Sequence, residues 1–376
     1  MAYGRLTNFS FPQLRWRLHR MLTDRGLWSV PFSKRAKRRM LLVTCEGSIS
    51  QSQVYPLFYF KDELRDAFGI EVREVSLDAF EAGAPAWQPE ADIVVVQPWF
   101  DVEANRLRQL LEMVHERCKP ERVLFFDSFA PTDLRLGHIV EPYIDLYVKK
   151  HVLRDRSLYG RPTLGDTNLM DHYCRVYGFD YPTTCFPVSQ ELLQKLIVGP
   201  SFVTADFLSE AFDKNCSMAR YPKRYDMHAR IGRKGSDWYS RMRDDAQAAV
   251  DGLVGIECVT GMGASHAAYL KELSQSHLCF SPFGYGEVAW RDYEAIACGS
   301  LLIKPDCSHL EVDPDIFVPY ETYVPIEWDF SDLAGKVRHY LHNEDERERI
   351  TNAAFERLHS YFADREFLSQ MHRVFE

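Results

Sequence analysis

The segment Leu278–Asp306 carries the residues best suited to chemistry in this chain. An apolar strand leads into a loop that contains Gly284 and Gly286, and a helical pattern opens at about Glu287. Glycines let backbone N–H groups approach a ligand closely, and the unpaired N–H groups at a helix start favour an anion. The order strand, glycine loop, helix therefore predicts a site for an anion such as a diphosphate.

Charged side chains recur along this predicted helix. At about 100° per residue, Glu287, Arg291 and Glu294 lie within about 60° of one another on a helix that is otherwise mostly apolar. One interpretation is a solvated face with an ion pair between Glu287 and Arg291. The start of the stripe at the carboxyl end of a strand, where open α/β sheets bind ligands, favours a functional interpretation.

Further basic residues suited to phosphate occur nearby in the second half. Arg230 ends a predicted strand, and Arg233 and Lys234 follow in a glycine-containing loop. A guanidinium binds phosphate with two parallel hydrogen bonds, although a solvated surface loop is the alternative interpretation. Lys304 is another candidate for the phosphates, and the loop after it adds candidates for a sugar pocket, Asp306 and His309.

These residues are positioned by alternating strands and helices. In the first half, apolar strand patterns at 40–44, 72–77, 92–97, 123–127 and 146–148 alternate with helical patterns at 55–68 and 107–118. The second half repeats the alternation, with strands at 225–231, 256–259, 277–281 and 301–304, helices at 238–250, 269–276 and 287–298, and a helical tail at 330–342 and 344–375. This alternation is typical of parallel sheets covered on both faces. The predicted fold class is α/β, with two Rossmann-like doubly wound domains around a central cleft and a helical C-terminal tail.

The run RDYEAIACGSLLIKPD resembles the donor-site signature of GT-B glycosyltransferases, and it is similar to the matching part of group 1, exostosin-like and spore-coat glycosyltransferase-like proteins. The resemblance in sequence covers residues 225–310. The first half of the chain resembles these proteins only in its predicted arrangement of strands and helices. It implies that Glu294 binds the ribose of a nucleotide sugar, that basic residues contact its diphosphate, and that neither a metal nor another cofactor is needed. Retaining members often place another glutamate eight positions earlier, where Gly286 stands here. The sugar contact of Glu287 and the stereochemical outcome therefore stay open.

The catalytic base has several candidates in the first half. Asp127 ends a buried strand, Glu46 lies beside a glycine loop, and His138 and His151 are the imidazole candidates. A carboxylate or imidazole would deprotonate the acceptor if the configuration inverts. Each candidate also has a capping or core interpretation, and a retaining enzyme needs no dedicated base.

The chain is divided by these patterns into four parts. Residues 1–39 form a basic amphipathic arm, residues 40–205 an acceptor domain with an irregular insertion at 155–205, and residues 206–345 the donor domain. Residues 346–376 form helices that pack back toward the acceptor domain. The arm has ten basic residues against one acid, whereas the whole chain carries −9, so the rest is strongly acidic. The arm either contacts an anionic membrane surface or packs on this acidic body.

Composition excludes several classes of protein. No apolar run approaches the roughly 20 residues of a membrane span, and residues 1–30 lack a signal-peptide pattern. The nine cysteines are scattered and form no CxxC pair, so the sequence predicts neither a zinc site nor a disulfide framework. Nucleic acid is disfavoured because the acidic body repels phosphates. We therefore expect a cytoplasmic protein, peripheral at the inner face of the membrane through its arm.

The predicted function is transfer of a sugar from a nucleotide sugar to a glycan or lipid-linked acceptor, in the synthesis of cell-surface polysaccharide or glycoconjugates. The alternatives are a non-catalytic glycosyltransferase-like scaffold and a GT-B-type nucleotide-sugar epimerase. A dinucleotide-dependent oxidoreductase is disfavoured, because the loop after the first strand, 45–49, holds a single glycine.

Overall fold

The computed structural model of the protein describes residues 31–45, 47–84, 89–201, 205–213, 215–218 and 221–375. Most of the predicted basic arm and the base candidate Glu46 lie outside these residues. Within the described ranges, no helix is both long and apolar enough to cross a lipid bilayer.

The described strands follow the predicted order closely. They are β1 Arg38–Thr44, β2 Ile70–Ser76, β3 Ile93–Gln97, β4 Arg122–Asp127, β5 Leu146–Lys149, β6 His151–Leu153, β7 Thr163–Leu164, β8 Thr183–Thr184, β9 Leu196–Val198, β10 Tyr225–His228, β11 Cys258–Val259, β12 Ser276–Phe280, β13 Leu301–Pro305, β14 Leu310–Val312 and β15 Val324–Ile326.

The described helices alternate with the strands. They are α1 Ser48–Tyr59, α2 Lys61–Phe68, α3 Leu77–Glu81, α4 Ala104–Cys118, α5 Gly137–Val140, α6 Asn168–Tyr177, α7 Gln190–Lys195, α8 Asp206–Phe212, α9 Asp237–Asp251, α10 His266–Ser274, α11 Trp290–Ala297, α12 Leu333–His342, α13 Glu344–Ala363, α14 Glu366–Gln370 and α15 His372–Phe375. Two short 3₁₀ helices cover Glu141–Tyr143 and Arg156–Leu158.

The first sheet is parallel and has the strand order β2-β1-β3-β4-β5-β9. Alternate residues of β1 belong to two different apolar clusters: Met40 and Leu42 pack in one, and Leu41 and Val43 in the other. Side chains on a strand point alternately to opposite faces, so both faces of this sheet are covered. This confirms the doubly wound first half.

The second sheet is also parallel, in the order β11-β10-β12-β13-β15. In its centre, Leu278 of β12 pairs with Leu301 of β13, and both are buried. The carboxyl ends of β10, β12 and β13 lie at one edge, where their loops meet. Two Rossmann-like sheets are thus present, as predicted.

Three predicted elements differ from the structure. The helix predicted from Glu287 begins at Trp290. Ala289 before it has an extended backbone, and its N–H donates a hydrogen bond to the carboxylate of Asp292, which caps the start of the helix. Glu287 therefore lies in the preceding loop, and the acid–base–acid stripe on one helix was wrong. The helix predicted at 55–68 is broken into α1 and α2 at Phe60, and the strand predicted to end at 231 ends at His228.

A short antiparallel ladder joins the two halves of the chain. Strand β6 directly follows β5 of the first sheet, and it pairs with β14, which lies between β13 and β15 in sequence. The backbone N–H of Arg154 extends the ladder by donating to the carbonyl of His309 at 2.8 Å. The side chains of Arg156 and Glu311 form an ion pair across it at 2.6 Å. We refer to this pairing as the β6–β14 ladder.

The last helices of the chain contact the first ones. The guanidinium of Arg38 donates a hydrogen bond to the backbone carbonyl of Phe375. The rings of Phe60 and Phe367 stack with centroids 5.2 Å apart, and the ring of Phe68 lies 5.1 Å from that of Phe375. The two halves of the chain are thus connected at the C-terminal helices as well as at the ladder. The exact domain boundaries stay a prediction.

Candidate functional site

The glycine loop after β12 lies against the first half of the chain. A Cβ atom on Gly286 would stand 2.4 Å from the carbonyl oxygen of Ala130, which follows β4, so only glycine fits without a shift of the backbone. The N–H of Gly284 donates to the carbonyl of Gly286 at 3.0 Å and closes a tight turn. The glycines therefore bring the edges of the two sheets together, in addition to any approach to a ligand.

This loop is held by a buried ion pair. The ammonium of Lys304 on β13 lies 3.1 Å from the carboxylate of Asp292 on α11, and both side chains are fully buried. The same carboxylate accepts hydrogen bonds from the hydroxyl of Ser281 at 2.6 Å and the N–H of Ala289 at 2.9 Å. The charge of Lys304, which was predicted to bind the donor, is paired with Asp292 in the protein, and its contact with a donor stays a prediction.

Two arginines lie next to the loop, and each has a donor nitrogen that no other described residue binds. The side chain of Arg243 on α9 is only 7% exposed, and the ring of Tyr239 lies 5.1 Å from its guanidinium. Arg291 donates to the carbonyl of Arg230 at 2.5 Å. The Nε atoms of Arg243 and Arg291 are buried and have no hydrogen-bond partner in the described part of the chain.

The electrostatics of this arginine pair favour an anion. Burial, with a contribution from the charge of Arg291, lowers the pKa of Arg243 to about 10. No carboxylate among the described residues forms an ion pair with Arg243. Buried charges in proteins are normally paired, so the guanidinium of Arg243, with that of Arg291 nearby, is suited to a bound anion. Sequence reasoning found Arg291 and missed Arg243.

Glu294 lies on α11 one turn beyond Arg291. Its carboxylate accepts hydrogen bonds from Nε2 of His266 at 2.9 Å and from the hydroxyl of Tyr269 at 3.0 Å, both on α10. Burial and the charge of Glu294 raise the pKa of Tyr269 well above its ordinary value. A carboxylate has about four acceptor positions, so two further hydroxyl groups can still bind here.

The loop after β10 differs from the prediction. Arg230 forms a two-hydrogen-bond ion pair with Glu272, at 2.7 and 2.9 Å, and also donates to the carbonyl of Thr260. Its charge is therefore compensated within the protein, unlike that of Arg243. Lys234 is exposed in this loop, and Arg233 forms an ion pair with Asp244 at 3.2 Å. Of the predicted basic residues, Arg291 has the best-placed unpaired donor.

Glu287 lies at the junction of the two halves. Its side chain is 1% exposed, and its Oε1 atom is 3.4 Å both from Nδ2 of Asn168 and from Nε2 of His309. Nε2 of His151, the first residue of β6, is 3.8 Å from Oε2. Burial raises the pKa of Glu287, but its interactions with His151 and His309 offset this and lower it overall, so the carboxylate is ionised.

The cluster around Glu287 is incomplete within the protein. Oε2 of Glu287 and both ring nitrogens of His151 are buried without a hydrogen-bond partner among the described residues. Burial lowers the pKa of His151, which keeps its imidazole neutral at physiological pH. A neutral imidazole offers one donor and one acceptor, so a hydroxyl group bound here could pair with both Nε2 of His151 and Oε2 of Glu287.

The base candidates of the first half have different surroundings. Asp127 accepts hydrogen bonds from the hydroxyl of Tyr147 at 2.6 Å and the ammonium of Lys149 at 2.8 Å, and is buried. The carboxylate of Asp127 is thus already paired with an ammonium, and its role as a base stays a prediction. His138 is exposed on the short helix α5, whereas His151 is buried beside Glu287.

Comparisons with known proteins agree with this fold. Residues 220–372 match the protein family described as glycosyl transferase-like. An alpha-glucosyltransferase in complex with UDP and a 13-mer DNA has a TM-score of 0.50 and 10% identity over 90% of this chain and 99% of that chain. A glycosyltransferase from Rickettsia africae ESF-5 has a TM-score of 0.45 and 10% identity over 90% of this chain and 97% of that chain. A comparison with curated proteins finds no significant match.

At 10% identity a solved structure is informative about the fold alone. The DNA in that complex belongs to the alpha-glucosyltransferase, and the absence of a nucleic-acid partner for this chain stays a prediction. The chain has the GT-B fold, and its residues 220–372 match the glycosyl transferase-like family.

Proposed function

We propose that the protein transfers a sugar from a nucleoside diphosphate sugar to an acceptor. The observation that carries this proposal is a pair of arginines beside the loop at the carboxyl end of β12, Arg243, which is buried, and Arg291, which is half-buried. The Nε atoms of both are buried and have no hydrogen-bond partner among the described residues. A diphosphate would supply negative charge to Arg243, which forms no ion pair among the described residues, and a hydrogen-bond acceptor to Nε of Arg291. Negative charge grows on the diphosphate as its bond to the sugar breaks, so the same arginines would stabilise the leaving group.

The other parts of a nucleotide sugar fit on either side of the arginines. On one side, Glu294 offers acceptor positions for the two ribose hydroxyls, in line with the resemblance of its motif. On the other side, the loop continues through Gly286 to Glu287, which meets His151 of the first half. The sugar would thus lie where the two halves of the chain meet, with its reacting carbon accessible to an acceptor held by the first half.

The proposal makes His151 the preferred candidate for the acceptor side. Among the base candidates within the described ranges, it is the one that lies beside Glu287, where the two halves meet, and its imidazole is neutral. A neutral imidazole can accept a proton from an attacking hydroxyl, provided that the configuration inverts. We propose no metal or other cofactor.

The acceptor is proposed to be a glycan or a lipid-linked saccharide. The support is the charge of residues 1–39, which would attract an anionic membrane while the acidic remainder is repelled by it. Sedimentation with vesicles of phosphatidylglycerol and phosphatidylcholine tests the membrane part. Full-length protein should sediment only with the anionic vesicles, and should be released at high salt. Equal sedimentation with neutral vesicles, or none, would refute the membrane contact.

The function itself is tested by a panel of UDP, GDP, ADP and CMP with their common sugar derivatives. We expect one nucleotide to raise the melting temperature of the protein, because a ligand that binds the folded state stabilises it. The matching nucleotide sugar should release its nucleoside diphosphate slowly in water and faster with a saccharide acceptor. A product with an epimerised sugar would support the epimerase, and a folded protein that binds no nucleotide would support the scaffold.

A further inference from the structure

Helix α6 lies between β6 and β9 in sequence, yet it packs on the second half of the chain. The ring of Tyr173 stacks with that of Trp238 on α9, with centroids 6.3 Å apart and planes at 14°. The hydroxyl of Tyr173 donates to the carbonyl of Trp328 at 3.1 Å, and Arg241 lies over the ring of Tyr177 at 5.5 Å. The helix is therefore fixed to the half that carries Glu287.

The start of α6 is held from several directions. The hydroxyl of Thr167 accepts a hydrogen bond from the N–H of Met170 at 3.1 Å and caps the helix. Asp171 accepts from the N–H of Leu164 at 2.7 Å, and Asp166 lies 3.2 Å from the guanidinium of Arg135 in the first half. These contacts determine the position of Asn168, the first residue of the helix.

Asn168 reaches the buried carboxylate of the candidate site. Its Nδ2 is 3.4 Å from Oε1 of Glu287, and Nε2 of His309 is at the same distance from that oxygen. Both contacts are long for hydrogen bonds, and the other oxygen of Glu287 has no partner among the described residues. Asn168 itself is half-buried, in contrast to the buried Glu287.

A hydroxyl group suits this arrangement better than a purely donating or accepting group. Glu287 provides an acceptor only, and Asn168 provides both a donor and an acceptor. One sugar hydroxyl can donate to the carboxylate and accept from the amide, and its direction is then defined by both. An epimer that points the hydroxyl elsewhere would leave the buried carboxylate unpaired, which is the kind of penalty that gives strong discrimination.

We propose that Asn168 determines which sugar the donor carries, by binding one sugar hydroxyl together with Glu287. The assignment rests on the proposed function, because it needs a nucleotide sugar in the cleft. It goes beyond that function, because it names a residue outside the glycosyl transferase-like domain that selects the sugar while the nucleotide is bound elsewhere.

The experiment compares wild type with Asn168→Ala, using isothermal calorimetry with the preferred nucleoside diphosphate and with its sugar derivatives, including C2, C3 and C4 epimers. We expect Asn168→Ala to weaken binding of the preferred nucleotide sugar by about tenfold and to change binding of the nucleoside diphosphate by less than about twofold. The preference among epimers should shrink accordingly. Asn168→Asp, which keeps the shape but loses the donor, should behave in the same way.

Val176→Ala is the matched control, because Val176 is 59% exposed two turns later on the same helix. It should leave both affinities unchanged. If Asn168→Ala and Asn168→Asp keep the wild-type affinities and epimer preference, or weaken nucleoside diphosphate equally, the assignment is overturned while the proposed function stands. If wild type binds no nucleotide sugar, the proposed function fails and the assignment fails with it.

Discussion

Replacing Arg243 by methionine should strengthen the fold and weaken nucleotide binding at the same time. Arg243 is charged and buried, and no carboxylate among the described residues forms an ion pair with it. Burial lowers its pKa from the ordinary value of an arginine to about 10, so at about 1.4 kcal/mol per decade the charge costs the folded protein about 3 kcal/mol. Methionine keeps most of the apolar volume without the charge.

The expected gain is smaller than this electrostatic cost. Methionine loses the contact of the guanidinium with the ring of Tyr239, which contributes about 1 kcal/mol. We expect Arg243→Met to raise the free energy of unfolding of the ligand-free protein by about 1–2 kcal/mol. Binding of the nucleoside diphosphate should weaken by about 10- to 100-fold, because a charged hydrogen bond contributes about 1.5–3 kcal/mol.

Urea unfolding and isothermal calorimetry measure the two effects separately. Arg241→Met is the matched control: Arg241 lies on the same helix, is exposed, and pairs with Asp245 at 3.2 Å. Its substitution should change the free energy of unfolding by less than about 0.5 kcal/mol and leave binding unchanged. A destabilised Arg243→Met variant with wild-type nucleotide affinity would refute the reasoning, since Arg243 would then be a structural residue.

Three further substitutions test other parts of the site. Glu294→Gln should weaken nucleoside diphosphate binding about tenfold and leave pyrophosphate binding unchanged by calorimetry, and equal losses would contradict a ribose contact. Lys304→Met leaves Asp292 buried and unpaired, so urea unfolding should show a loss of about 3–5 kcal/mol, and a loss below about 1 kcal/mol would contradict this. Burial lowers the pKa of His228 from 6.5 to about 3, so the unfolded state binds a proton first and stability falls as the pH drops below 6.5. His228→Gln should reduce the loss between pH 7 and pH 5 by about 2 kcal/mol, and an unchanged loss in urea titrations at both pH values would refute this.

Local sequence patterns were sufficient to predict an element when its formation depends on residues close to it in sequence. Short apolar runs predicted the central strands of both sheets, because a strand covered on two faces needs no alternation. Arg291 and Glu294 were singled out because they lie on one helix that follows a strand, and their roles stay predictions. The edge strands β9 and β15 were missed, since three residues are too few to show a period.

Residues whose role depends on distant partners could not be predicted. Arg243 lies in the run RMRDD, which is typical of an exposed helix, and only packing against the loop after β12 buries it. Asp127 and Lys304 were expected at a ligand because each charged residue ends a buried strand. Their partners Lys149 and Asp292 lie 22 and 12 residues away in sequence. Asn168 could be connected with Glu287 only through the fold.

The β6–β14 ladder and the C-terminal contacts together restrict how the two halves can move. Each of them joins the first sheet to the second, and each depends on backbone hydrogen bonds or packed rings that are lost on separation. A rigid movement that keeps both attachments intact can only be a rotation about the line between them. Substrate and product would then exchange through a rotation of one half about that single axis. The size of this rotation would depend on whether the loop from Gly284 to Glu287 moves away from Ala130, against which Gly286 packs.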